Sequence, residues 1–344
     1  MGINFKDIIV KKEVSFDDLK NKILVIDSFN ILYQFLATIR QADGTPLMDS
    51  KGRITSHLNG LFYRTTKMMQ CSIKPAFVFD GKSPELKHRE HERRQGLKKE
   101  AQKKFDEAKE KEDTEAMRKY AQRAMSLSRE MVDQAKELIL ALGLPVIQAP
   151  SEGEAQAAYI VKKNDAFAVV SQDYDSLLSG ADRLIQNLTV SERKKMPGKL
   201  SYATIKPELI ELDYNLNNLG IDNDQLIAVA MLVGTDYNYG GVKGIGPKNA
   251  IKLVKQHGKD FEKLFKEVKF EEACGIGWTE IYDTIKKMPV TDDYSIKFRN
   301  IDEEKVKKIL VDDFDFSGER VQSQLDKLVK KAKEKQQKGL SQWF

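Results

Sequence analysis

Asp27 closes the apolar run Lys22-Ile23-Leu24-Val25-Ile26, and Asp80 closes Pro75-Ala76-Phe77-Val78-Phe79. A third run, Ala166-Phe167-Ala168-Val169-Val170-Ser171, leads into Gln172-Asp173-Tyr174-Asp175. Short apolar runs of this kind read as buried strands, so three strands end in acids. Ser151-Glu152-Gly153-Glu154 opens a helical pattern, and Asp236 follows another in Leu232-Val233-Gly234-Thr235-Asp236. In an open parallel sheet, ligands bind beyond the carboxyl ends of the strands. Asp27, Asp80, Glu152, Glu154, Asp173, Asp175 and Asp236 are expected along that edge. Each like pair at ~4 Å costs about 4 kcal/mol at an effective dielectric near 20, so such a cluster calls for cations. All-oxygen ligation favours Mg²⁺, with Mn²⁺ as the alternative, over zinc. The four histidines and two cysteines form no competing soft site. Two ions ~4 Å apart suit in-line displacement at a phosphodiester. Taken singly, the acids have plainer readings. Glu154 completes an S-x-x-E capping box with Ser151, Glu152 suits the positive end of a helix, and a strand-end Asp is often a turn residue. Their coincidence at one edge argues for a site.

A second motif follows, Gly240-Gly241-Val242-Lys243-Gly244-Ile245-Gly246-Pro247-Lys248, between two helical patterns. Gly244 and Gly246 let backbone N–H groups approach a ligand closely, and Pro247 suits the first turn of a helix whose N-terminus can hold a phosphate. Lys243, Lys248 and Lys252 add charge. The pattern is that of a helix–hairpin–helix gripping a DNA backbone without reading its sequence. Its plainer reading is a tight turn.

The elements that must position these residues alternate. Strands are expected at 22–27, 75–80, 145–148, 166–171 and 184–188. Helices are expected at about 30–40, 57–70, 131–142 and 152–163, with mainly helix from Asp222 onward. Alternation of this kind predicts an α/β fold, a mostly parallel twisted sheet with helices on both faces. Residues 82–134 crowd charges of both signs and read as one or two exposed helices. Residues 322–338 read as a basic, flexible tail. The net charge of +5 is weak support for a polyanionic partner. No signal peptide is read at the start, and no stretch approaches the ~18 apolar residues of a membrane span. Cys71 and Cys274 are isolated, so neither a disulfide framework nor a Cys-based zinc site is expected, and the location is expected to be intracellular.

The motifs Val25-Ile26-Asp27, Phe77-Val78-Phe79-Asp80-Gly81, Ala149-Pro150-Ser151-Glu152-Gly153-Glu154-Ala155, Ser171-Gln172-Asp173-Tyr174-Asp175 and Gly234-Thr235-Asp236-Tyr237-Asn238 occur in this order. In that combination the chain resembles the flap endonucleases of archaea and eukaryotes, within the 5′ nuclease superfamily, over essentially its whole length. The resemblance implies a structure-specific 5′ flap endonuclease with 5′-3′ exonuclease activity, acting in Okazaki fragment maturation and repair on 5′-flap and double-flap DNA. It implies two metals on the seven acids. Lys87 and Arg94 match positions that project from the base of a mobile arch toward the scissile phosphate. Tyr33 matches the aromatic that stacks on the terminal base. Arg40 and Thr55 match a 3′-flap pocket. The resemblance also implies K⁺ at the glycine hairpin.

The ending Gln337-Lys338-Gly339-Leu340-Ser341-Gln342-Trp343-Phe344 fits a sliding-clamp docking box, with Gln337, Leu340, Trp343 and Phe344 as its anchors. The chain carries no long basic tail after this box, which leans toward the archaeal type and a cytoplasmic, nucleoid-associated place. The expected organisation is a single nuclease domain over 1–320. It comprises 1–81, an arch insertion at about 82–134, an inner part at about 135–236, the helix–hairpin–helix at about 226–256 and a helical part at about 257–320. A tail at 321–344 carries the box at 337–344, and the free protein is expected to be a monomer. The rival readings are a catalytically silent junction binder, a bubble-cutting repair nuclease or processive exonuclease of the same superfamily, and an RNA-cleaving domain with a similar acidic sheet.

Overall fold

The computed structural model describes residues 3–41, 44–111, 113–190, 193–195 and 202–340. Its strands are β1 (Lys12–Glu13), β2 (Ile23–Asp27), β3 (Lys74–Phe79), β4 (Val146–Gln148), β5 (Ala168–Val170), β6 (Arg183–Gln186), β7 (Arg193–Lys195), β8 (Tyr202–Thr204) and β9 (Glu208–Glu211). Seven of them form one sheet in the order β1–β9–β6–β5–β2–β3–β4, while β7 and β8 pair separately. β2 to β6 run parallel; β9 and β1 extend the edge antiparallel.

Helices fill the crossovers. α1 (Ser28–Thr38) and α2 (Ser56–Gln70) join β2 to β3. A 3-10 turn (Glu85–Lys87), α3 (His88–Glu110), α4 (Thr114–Ala124) and α5 (Arg129–Ala141) lie between β3 and β4. α6 (Gly153–Lys162) precedes β5, and α7 (Asp175–Leu178) precedes β6. After β9 come α8 (Leu212–Leu219), α9 (Asn223–Val233), α10 (Pro247–His257), α11 (Phe261–Glu267), α12 (Phe270–Cys274), α13 (Trp278–Lys286), α14 (Glu303–Lys307), a π-helical turn (Lys308–Asp313) and α15 (Gly318–Leu340).

Strand alternation sorts the two cores. Leu24, Ile26, Phe77, Phe79, Ala168 and Val170 face α1, α2, α5, α14 and α15. Val25, Ala76, Val78 and Val169 face α6, α7 and the helices from α8 to α13. With both faces buried, the central strands need apolar side chains on both sides, which is why they read as continuous apolar runs. α3 and α4 pack on each other as a helical hairpin. Among the described residues, no helix is long and apolar enough to cross a membrane.

The antiparallel edge and the β7–β8 hairpin escape the sequence reading. β1 has two charged residues and nothing else, and β9 begins and ends in Glu, so neither carries the apolar run of a central strand. The tail expected from residue 321 is corrected over its first part. α15 buries Val321, Leu325 and Leu328, with the first two in the core beside α2. Its apolar residues recur at a helical spacing of three and four, a stripe that the surrounding lysines obscure.

Candidate active site

β2 is the topological switch point. β3 and β4 lie on one side of it, β5 and β6 on the other. Chain connections therefore leave in opposite directions from the carboxyl ends of β2 and β5, opening the crevice in which such sheets bind ligands. Asp27, the last residue of β2, caps α1 by accepting from the Asn30 N–H at 3.2 Å. Its other oxygen accepts from the Ser171 hydroxyl at 3.1 Å. Asn30 in turn donates to Asp173 at 2.9 Å and accepts from the Gln172 N–H at 3.0 Å, tying the end of β2 to the loop after β5. Asp80 accepts from the Gly153 N–H at 2.7 Å. A Cβ on Gly153 would meet that Asp80 oxygen at 2.5 Å, so the close approach requires glycine. The capping box does not form. Ser151 donates to the Lys82 carbonyl, the N-cap of α6 is Glu152, and Glu154 is free to face the crevice.

The seven acids form one electrostatic group. Burial, then Asp173, pushes the Asp27 carboxyl up to about 6 against the Asn30 N–H. Burial, then Asp27 and Glu152, pushes Asp80 up to about 7. Burial, then Asp173 and Asp236, does the same for Asp175, also to about 7. Glu154 rises well above its ordinary range through burial and Asp175, although Lys87 opposes it. Lys87 is the counter-charge. It is 8% exposed, pairs with Glu152, and lies 4.0 Å from Glu154 and 3.6 Å from Asp236. Burial disfavours its ammonium, but Glu154, Glu152, Tyr237 and Asp236 outweigh that and hold its pKa well above the ordinary value. Arg94 donates to Asp236 at 2.5 Å.

The donor set fits a hard divalent cation: all oxygen, with carboxylates in excess of the basic groups that face them. As they stand, no three His, Cys, Asp or Glu side chains among the described residues are grouped so as to hold a metal ion. The arrangement supplies a reason. Lys87 already lies among three of the acids, and the space left beside it is about 20 Å³, room for about one water.

Residues 1–101 match the XPG N-terminal domain and residues 143–236 the XPG I-region. The chain is 52% identical to Flap endonuclease 1 of Staphylothermus marinus over the whole of both chains. It is 50% identical to Flap endonuclease 1 of Thermococcus onnurineus, covering all of this chain and 99% of that one. The chain belongs to the flap endonuclease family. The solved flap endonuclease-1 from Methanococcus jannaschii superimposes with a TM-score of 0.76 at 44% identity, covering 97% of this chain and all of that one. The catalytic core of Rad2, solved in complex with DNA substrate, shares the fold at 24% identity and a TM-score of 0.69, covering 95% of this chain and all of that one. Membership makes this chain a nuclease, and metal dependence fits both the family and the acid cluster.

Other residues expected of a flap endonuclease fall at varied distances from the acids. Tyr33 stands on α1, 39% exposed, with the Lys98 ammonium of α3 5.2 Å from its ring centre. Arg40 and Thr55 lie at the two ends of a looped segment. Arg40 donates to the carbonyls of Ala37, Gly44 and Ala121, and Thr55 is buried. Lys243, Gly244 and Gly246 are exposed in the turn between α9 and α10, Gly246 being the N-cap and Pro247 the first residue of α10, and Lys248 is exposed in that helix's first turn. Asn238 braces this turn by accepting from Thr235 and donating to the Met231 carbonyl. Gln337 and Leu340 fall on α15, while Trp343 and Phe344 lie outside the described residues. Sequence reasoning passed over Asn30, Ser171 and Glu90. Asn30 had a signal, three residues after a strand-end Asp, where an N-cap bond is expected. So did Glu90, three and four residues before a pair of arginines.

Proposed function

We propose that this chain is a structure-specific 5′ flap endonuclease with associated 5′-3′ exonuclease activity, working in DNA replication and repair. The reading is supported above all by seven carboxylates at the switch-point edge of the sheet, faced by Lys87 and Arg94 from the insertion. Asp27, Asp80, Glu152, Glu154, Asp173, Asp175 and Asp236 would hold two Mg²⁺ ions, or Mn²⁺ in their place. Bound there, these ions would supply Lewis acidity to the scissile phosphate and to the attacking water.

The chain's own residues do the rest. Asn30 and Ser171 orient Asp27 and Asp173. Lys87 and Arg94, freed from the acids as metals replace them, would donate to the phosphate oxygens as charge develops in the transition state. Tyr33 would stack on the terminal base as the end pair opens. The arch over about 82–134 would order over the flap, and Arg40 and Thr55 would line the pocket for a short 3′ flap. The exposed turn with Lys243, Gly244, Gly246 and Lys248 would hold the downstream duplex backbone, with K⁺ at its carbonyls. The box of Gln337, Leu340, Trp343 and Phe344 would dock the chain, otherwise a monomer, on a sliding clamp. The place of action is intracellular, at the nucleoid.

Cleavage of a 5′-labelled double-flap DNA in Mg²⁺, beside single-strand, bubble and intact duplex substrates, tests this. The expected result is one dominant product cut near the flap base, absent in EDTA. Binding without cutting would instead identify a junction binder, and preferred cutting of the bubble a different substrate choice.

A further inference from the structure

Two adjacent arginines, Arg93 and Arg94, leave the base of α3 toward the same loop, yet they meet different fates. Glu90, 5% exposed, lies one turn before both. Arg93 grips it with two bonds, Nε to Oε2 at 2.6 Å and Nη2 to Oε1 at 2.8 Å, and its guanidinium stacks 3.6 Å from the ring centre of Tyr239. Its hydrogen bonds thus go to Glu90 rather than to the acids of the site. Arg94 gives Glu90 only its Nε, at 2.7 Å, and its Nη2 reaches Asp236. A guanidinium is planar and rigid, so fixing Nε on Glu90 fixes where the neighbouring Nη2 lies.

We infer that Glu90 is a positioning residue: it holds Arg93 against Tyr239 as a prop and presents the terminal nitrogens of Arg94 to the acid site. This rests on the reading of Arg94 as a residue that touches the scissile phosphate. An ordinary i,i+4 pair on a solvated helix holds neither partner firmly. Glu90 differs because it is buried and three guanidinium nitrogens converge on it. Misplacing a reacting group by about 1 Å can cost up to ~10²-fold in rate.

The test is a double-mutant cycle on the full chain, read as single-turnover cleavage of double-flap DNA in Mg²⁺, with flap affinity measured in EDTA and Tm alongside. Glu90→Gln keeps the shape and removes the charge. It is expected to slow cleavage by about 10-fold at unchanged affinity, with Glu90→Asp recovering part of the loss. In an Arg94→Ala background the same substitution is expected to change the rate by less than about 2-fold, because its route is already cut. Asp283→Asn, which removes an exposed i,i+4 pair with Lys287 at the end of α13, is expected to match the parent. Normal cleavage by Glu90→Gln beside a slow Arg94→Ala would overturn the inference alone. So would a loss that repeats in full without Arg94. A normal Arg94→Ala would overturn both the inference and the reading beneath it.

Discussion

Asn30 shows how much of the site is carried by groups that would touch no substrate. Its side-chain amide donates to Asp173 through nitrogen and accepts from the Gln172 N–H through oxygen, while its own backbone N–H donates to the Asp27 cap. Groups that orient the ligands of a metal typically govern affinity or activity by 10–100-fold. Asn30→Ala is therefore expected to raise the Mg²⁺ concentration for half-maximal cleavage by about 10-fold or more. Asp173→Ala is expected to lower cleavage by at least ~100-fold at any Mg²⁺ concentration. Titrating Mg²⁺ in single-turnover reactions separates the two, and a parent-like midpoint for Asn30→Ala would mean that Asp173 is held without it. The acids themselves are legible in the sequence because they sit at strand ends, at a helix start and, for Asp236, just past a helix end, all places that the apolar pattern marks. Their supports were not. Ser171 and Asn30 are common polar residues whose partners lie 144 and 143 positions away in the chain. Only the fold brings such pairs together.

Elements repeat the lesson with a different cause. The central strands were readable because burial on both faces forces apolar runs on them. β1 and β9, at the antiparallel edge, are under no such demand and carry no apolar run to mark them. α15 reads as tail because lysines crowd its composition, yet it contributes Val321 and Leu325 to the core on the α2 side of the sheet. Leu325→Ala is expected to destabilise the protein by about 2–5 kcal/mol, the range for a buried leucine. Denaturant unfolding checks this, and a loss under about 0.5 kcal/mol, the scale of a surface substitution, would return the segment to tail. The glycine turn makes a sharper case. Gly241 has φ +58°, and a Cβ there would meet the Leu232 carbonyl oxygen at 2.3 Å and the Val233 carbonyl carbon at 2.4 Å. Those atoms are backbone and have nowhere to go. Gly241→Ala is thus expected to displace the turn from the end of α9 and weaken duplex binding in EDTA. Gly244→Ala, with open space around its Cβ, bears only the strain of its positive φ.

The whole molecule carries the acid cluster as an electrostatic load. Burial above all lifts the carboxyls of Asp27 to about 6 and of Asp80 and Asp175 to about 7, and raises Glu154 well above its ordinary range. Each group then holds its proton more tightly in the folded chain than in the unfolded one. Between about pH 4 and about pH 7 the folded state binds more protons, so this part of the stability falls as pH rises. Lys87 adds no slope there. Its raised pKa contributes stability that is complete throughout this window and is lost only above its unfolded pKa of about 10.4. Divalent cations oppose the load because they bind the ionised carboxylates and so compete with protons. The gap in Tm between Mg²⁺ and EDTA is therefore expected to be small near pH 5 and to widen by pH 8. Each kcal/mol of extra stability is worth roughly 2 °C in a chain of this size. Pairing Asp80→Asn with Asp175→Asn removes two of the charges. That variant is expected to raise the EDTA Tm at pH 8 above the parent's while losing most of the response to Mg²⁺. A gap of the same width at every pH would mean that these carboxyls are already ionised at pH 5. The full load would then be present across the range, and metal binding would displace no protons within it.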